Sequence, residues 1–117
     1  MTYRFIILPI LLLSLAACAP VIMNGEVTSD QGFDLGKAEI SASKRPEFKA
    51  YIVKAYLPDE TEFKGEIKYY EKSVVLYSND GVSMKCEFTL NDQEKKFEGG
   101  GIGSCTTSDG QKLKVKF

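Results

Sequence analysis

Apolar and polar residues alternate along much of the second half of the chain. The segment 62–70 is the clearest case, because Phe63, Gly65, Ile67 and Tyr69 fall on one face of an extended chain and glutamate or lysine occupies positions 62, 64, 66 and 68. Strict alternation with a period of two residues predicts a β-strand with one buried face.

Further segments continue this pattern. Residues 82–90 place Val82, Met84, Cys86, Phe88 and Leu90 on one face, and residues 111–117 place Leu113, Val115 and Phe117 opposite three lysines. The run 73–78 is β-branched, and the Asn-Asp-Gly that follows it tolerates positive φ, which predicts a hairpin. A glycine-rich segment, 97–107, is the remaining clear strand.

The segment 48–57 fits two structures. Its apolar residues at 48, 51, 52, 55 and 56 match a helical face, yet both faces are apolar enough for a central strand. We expect a strand, because a turn at 58–61 leads directly into the clear strand 62–70. About six short strands at regular spacing predict an all-β domain, a small antiparallel barrel or sandwich, over residues 47–117.

The N-terminal residues follow a different pattern. Arg4 precedes an unbroken apolar run from Phe5 to Leu13, and small residues then lead to Cys18. A basic start, an apolar centre and a small-residue end are the three parts of a secretory signal peptide, here residues 1–17. The alternative is an uncleaved membrane anchor, which Pro9 and Pro20 disfavour because they interrupt a helix.

The segment Leu15-Ala16-Ala17-Cys18 resembles the lipobox of bacterial lipoproteins. This resemblance implies that Cys18 is lipidated and that the mature chain begins there. Two or more acyl chains, such as palmitate, give stable attachment to a membrane. Ala19 follows the cysteine, and by resemblance to enterobacterial lipoproteins this favours the periplasmic face of the outer membrane.

Residues 18–46 are polar and rich in small residues. We expect this stretch, after the lipidated cysteine, to act as a flexible tether between the membrane and the domain. The alternative is that 21–27 or 38–42 adds a strand to the sheet.

Composition excludes several functions. The chain has no histidine, so it lacks the usual Ser-His-Asp and Cys-His catalytic groups and the imidazole ligands of common zinc sites. Its net charge of −1 argues against nucleic-acid binding. We therefore expect no enzyme activity, no cofactor and no metal.

Cys86 and Cys105 remain once lipidation uses Cys18. In an exported protein such a pair is expected to form a disulfide. A tight hairpin through 91–96 would place Cys86 opposite Gly101, so the bond requires a longer loop, a bulge, or two sheets that face each other.

Two other features have simple structural explanations. The run Gly99-Gly100-Gly101-Ile102-Gly103 lacks the lysine and the helix of a phosphate-binding loop, and its glycines are expected to let a strand bend. Lys112, Lys114 and Lys116 are expected to form a solvated face that also protects an edge strand.

The spacing of glycines and cysteines between Phe63 and Gly110 (F-x-G, G-x4-C, G-x-G-x-C-x3-D-G) is similar to that of small proteobacterial lipoproteins of unassigned function. These motifs imply a fold and no particular chemistry. The leading hypothesis is a non-enzymatic, lipid-anchored binding or accessory module that contacts another envelope component.

An alternative is a periplasmic inhibitor of a hydrolase such as lysozyme. The inhibitory loop of lipid-anchored lysozyme inhibitors resembles S-G-x-x-Y, and the nearest string here, Ser78-Asn79-Asp80-Gly81, lacks the tyrosine. A small-ligand carrier is the least favoured class, because it would need an open barrel interior.

Overall fold

The computed structural model describes residues 19–117. The predicted signal peptide and Cys18 lie outside the described residues. The described chain forms eight antiparallel strands in one closed barrel. In chain order they are β1 (Val21–Thr28), β2 (Asp34–Arg45), β3 (Ala50–Tyr56), β4 (Glu62–Lys68), β5 (Ser73–Tyr77), β6 (Ser83–Leu90), β7 (Gly101–Thr107) and β8 (Lys112–Lys116).

Each strand pairs with its neighbours in sequence, and β1 pairs with β8 to close the ring. Short 3-10 turns, Pro46–Phe48 and Lys96–Gly99, precede β3 and β7. The seam between β4 and β5 is the least regular, because Lys64 opposite Tyr77 is its single bridge pair. The prediction of a small all-β barrel is confirmed, with eight strands in place of about six.

The two extra strands, β1 and β2, lie where a tether was expected, so the tether prediction is wrong over residues 21–45, and the alternative of strands at 21–27 and 38–42 is the one that occurs. β1 directs Met23 and Val27 inward, and β2 directs Ala38, Ile40 and Ala42 inward, and all five are buried. Many of the residues between them are small or polar, which made a paired segment look like a linker. The segment 48–57 is a strand, as expected, and its Tyr51, Val53 and Ala55 are buried.

Inward side chains from all eight strands fill the barrel. An eight-stranded barrel is just wide enough for its interior to be occupied by side chains. The core contains buried residues from every strand: Met23, Val27, Ala38, Ile40, Ala42, Tyr51, Val53, Ala55, Phe63, Ile67, Val74, Leu76, Met84, Cys86, Phe88, Cys105, Leu113 and Val115. The alternation predicted for 62–70, 82–90 and 111–117 therefore matches the faces that the structure buries.

The barrel has two ends with different loops. We call the end where β1 begins the proximal end; it carries loops 46–49, 69–72 and 91–100. The opposite, distal end carries loops 29–33, 57–61, 78–82 and 108–111. The predicted hairpin is one of the distal turns, and Gly81 has the expected positive φ of 82°.

The disulfide between Cys86 and Cys105 is confirmed. The two residues are direct partners across β6 and β7. Of the arrangements considered from the sequence, the longer loop is the one that occurs. Leu90 pairs with Gly101, so residues 91–100 form the connection and the register shifts to bring the cysteines together.

Candidate functional site

A groove of about 680 Å³ lies on the outer wall of the barrel. It lies across β6, β7, β8 and β1. Its polar and exposed side chains form two rows that cross the strands, and each row takes one residue from each strand. The row nearer the distal end is Glu87, Ser104, Lys114 and Glu26, and the row nearer the proximal end is Thr89, Ile102, Lys116 and Asn24.

The floor of the groove lies between these rows, where an inward-facing ladder contains two glycines. This ladder runs Phe88, Gly103, Val115, Gly25 across the four strands. A Cβ atom added to Gly25 would lie 2.0 Å from the backbone oxygen of Lys114, and one added to Gly103 would lie 2.7 Å from the Phe88 ring. The absence of side chains at these two positions lets the Lys114 backbone and the Phe88 ring approach the glycines closely.

The groove carries both charges and one apolar contact. Lys114 lies between Ser104 and Glu26 in the distal row, and Ile102 is 54% exposed in the proximal row. Such a surface can offer hydrogen bonds, ion pairs and a small apolar patch to a polar partner of either charge. It does not resemble the apolar, enclosed pocket typical of small-molecule sites.

The three lysines of β8 face outward, as the sequence predicted. β8 is not an edge strand, however, because it pairs with β7 on one side and with β1 on the other. The edge-protection explanation for Lys112, Lys114 and Lys116 is therefore wrong. The last two lysines line the groove.

The glycine run also has a structural role. Gly101 and Gly103 belong to β7, and Gly103 belongs to the inward ladder under the groove. The bend predicted from these glycines stays a prediction, and the structure places Gly103 in the lining of the groove. Sequence reasoning did not identify the other groove residues, because their proximity depends on the pairing of β8 with β1.

A second feature closes the proximal end. Phe97, in the loop between β6 and β7, is buried and packs edge-on against Tyr51 and Phe88, with ring centroids 4.9 and 5.1 Å away. The Tyr51 hydroxyl donates a 2.6 Å hydrogen bond to Oε2 of Glu98, and Lys44 Nζ lies 3.7 Å from Oε1 of the same carboxylate. Burial raises the pKa of Tyr51 well above its usual range, and the hydrogen bond to Glu98 is the second largest cause of this rise. Tyr51 therefore stays protonated, and this network closes the barrel.

A smaller hollow of about 240 Å³ lies beside the irregular seam between β4 and β5. Glu66 and Glu71 line it, together with Lys85. Glu66 Oε1 lies 2.5 Å from Lys68 Nζ, and Glu71 accepts a hydrogen bond from the Lys68 backbone N–H. Glu71 therefore holds the turn between the two strands, and Glu66 pairs with a lysine of its own strand.

Among residues 19–117, no three histidine, cysteine, aspartate or glutamate side chains are grouped in a way that could hold a metal ion. Within that same range, no helix has the length and apolar character needed to cross a membrane.

Comparisons with protein families, with curated proteins and with solved structures returned no match to this chain.

Proposed function

We propose that this chain is a non-enzymatic, lipid-anchored binding module of the bacterial envelope. On this proposal Cys18 carries the lipid, the periplasmic face of the outer membrane is its location, and the outer groove contacts another envelope component. The observation that carries the proposal is the position of the lipobox-like segment 15–18. It ends an apolar run and stands three residues before β1.

The form of the barrel supports a binding role at its outer surface. The interior is occupied by buried side chains from every strand, whereas a carrier of small ligands would need an open interior. The groove, in contrast, is open to partners. The lack of histidine in the whole chain supports a non-enzymatic role, because general acid–base and nucleophilic catalysis commonly rely on that residue.

Metabolic labelling with a fatty-acid analogue tests the anchor. The wild-type chain is expected to take up the label, and Cys18→Ser is expected to take up none and to be uncleaved or mislocalised. Ala19→Ser serves as a matched control, because it changes the neighbouring residue and leaves the acceptor thiol in place. Equal labelling of Cys18→Ser and wild type would contradict the assignment.

The location is tested by Ala19→Asp. By the resemblance to enterobacterial lipoproteins, an aspartate after the lipidated cysteine is expected to retain the protein at the inner membrane. Membrane fractionation on a density gradient separates the two locations. An unchanged distribution would contradict the proposed sorting by residue 19.

Site-specific photocrosslinking in intact cells tests the groove. A photoreactive phenylalanine analogue at Ile102 is expected to capture an envelope component. The same analogue at Tyr56 is the control, because Tyr56 is also exposed and lies on β3, four strands away around the ring. Capture at both positions alike, or at Tyr56 alone, would contradict the groove as the binding surface.

The alternative function, inhibition of a hydrolase such as lysozyme, would use the distal loops. The string nearest to the inhibitory motif, 78–81, forms one of these turns. The four distal loops contain acidic residues and no lysine or arginine, which would suit a positively charged enzyme. A lysozyme-inhibition assay separates the two functions, since a groove-binding module is expected to leave the enzyme active.

A further inference from the structure

Two exposed aromatic residues stand in two connected loops of the proximal end. Phe48, in the loop between β2 and β3, is 59% exposed, and Tyr70, in the loop between β4 and β5, is 84% exposed. The backbone N–H of Tyr69 donates a 2.8 Å hydrogen bond to the carbonyl of Lys49. This bond joins the two loops at the residues beside Phe48 and Tyr70, so both aromatic side chains are presented from one connected surface.

The length of chain before β1 limits how far this surface can be from a lipid on Cys18. Val21, the first residue of β1, pairs with Ala42, and β2 continues three residues further to Arg45. Three extended residues span at most about 10 Å. This is the greatest distance from Val21 to position 18, and it is also about the length by which β2 continues beyond Ala42. A membrane that holds a lipid attached at position 18 therefore lies within reach of the loop that carries Phe48.

The two ends of the barrel differ in charge, and the distal end is the more acidic one. The proximal loops contain four lysines together with five acidic residues, and Lys44 and Arg45 stand at the end of β2. The distal loops contain five acidic residues and no lysine or arginine: Asp30, Asp59, Glu60, Asp80 and Asp109. An anionic membrane surface attracts nearby lysines and repels clustered carboxylates.

We propose that the proximal end lies against the lipid surface, with Phe48 and Tyr70 inserted at the level of the headgroups. Aromatic side chains favour this level because their rings are apolar and, for tyrosine, one end is polar. The inference rests on the proposed lipidation of Cys18 and extends it. The anchor and the aromatic pair together orient the barrel. Its strands then point away from the membrane, and the groove across β6, β7, β8 and β1 faces sideways.

The absence of tryptophan from the chain allows a direct test. Three full-length, lipidated variants each carry one reporter: Phe48→Trp, Tyr70→Trp and, as the matched control at the distal end, Phe33→Trp. Phe33 is 66% exposed, so the control site is as accessible as the test sites. Each purified variant is added to preformed vesicles of phosphatidylethanolamine and phosphatidylglycerol. The acyl chains of these lipids carry bromine near the headgroups.

Quenching by the brominated lipid is expected to be several times greater for Phe48→Trp and Tyr70→Trp than for Phe33→Trp, with a blue-shifted emission at the first two sites. Flotation of the vesicles separates the two proposals. Variants that float but show equal quenching at all three sites would overturn the orientation and leave the lipid anchor standing. Variants that neither float nor carry a fatty-acid label would overturn the anchor, and the orientation with it.

Discussion

Cys86 and Cys105 lie directly opposite each other on β6 and β7, and their Cα atoms are 4.1 Å apart. Both side chains point into the barrel and are buried. The bond therefore joins two strands from inside the core, at a point where the backbone ladder already holds them together. It also fixes the register that follows the long 91–100 connection.

Replacing both cysteines by alanine is expected to destabilise the barrel by about 2–4 kcal/mol, because the bond restricts the unfolded chain and closes a loop of 19 residues. Urea denaturation of the oxidised wild type and of the double variant measures the difference. Counting free thiols without reduction provides the control. Two reactive thiols at these positions in the folded wild type would rule out the bond.

Truncation of inward and outward side chains is expected to have unequal effects. Phe88→Ala and Ile67→Ala should each cost about 2–5 kcal/mol, because both side chains are buried in the core. Lys85→Ala and Lys64→Ala, on the outward faces of the same two strands, should stay within about 0.5 kcal/mol of wild type. Comparable losses for lysines and apolar residues would indicate that a partner covers the outer wall.

Gly25 and Gly103, the two glycines of the ladder under the groove, are expected to tolerate no larger residue. Gly25→Ala should cost about 3 kcal/mol or more, because the new Cβ would overlap the Lys114 backbone oxygen. Gly32→Ala is the control: Gly32 has a positive φ of 88° but open space around it, so only backbone strain of about 1 kcal/mol is expected. Equal effects of the two substitutions on the unfolding free energy would contradict the close approach of β1 and β8.

The hydrogen bond between Tyr51 and Glu98 is expected to contribute to stability below pH 10. Its acceptor is a carboxylate, so Tyr51→Phe should cost about 1.5–3 kcal/mol at neutral pH. The pKa of Tyr51 is raised in the folded state, so the unfolded chain loses this proton first as the pH rises. The stability of the wild type should therefore fall above pH 10, and that of Tyr51→Phe should fall less steeply.

Denaturation at pH 8 and pH 11 tests this prediction. Tyr70→Phe is the matched control, because it removes the same hydroxyl from an exposed tyrosine. A loss of stability between the two pH values that is the same for wild type and Tyr51→Phe would show that Tyr51 ionises equally in both states.

The alternation of residues predicted the inward faces of β4, β6 and β8, because a period of two directly specifies which side of a strand is apolar. The same reasoning left β1 and β2 only as an alternative to a tether. In β1 one of the inward positions is Gly25, and in β2 two of them are alanines, so the apolar face is weak in sequence. Gly25 is needed because a Cβ there would overlap the Lys114 backbone oxygen of β8, and this contact exists only in the assembled barrel.

The groove could not be predicted for a related reason. Its rows combine residues separated by as many as 92 positions, such as Asn24 and Lys116, which meet only because β1 pairs with β8. The disulfide partners could be predicted from their number and the expected export. Their register could not, since it depends on the length of the connection 91–100 between β6 and β7.

The pairing of β1 with β8 also governs when the barrel can be completed. Every other pair joins strands that are neighbours in the chain and can form early as hairpins. The closing pair must wait for the residues 112–116, and it then gathers nearly the whole chain into one ring. Contacts between residues so far apart in sequence slow folding. Until β8 is available, β1 therefore keeps one edge unpaired and exposed to other chains.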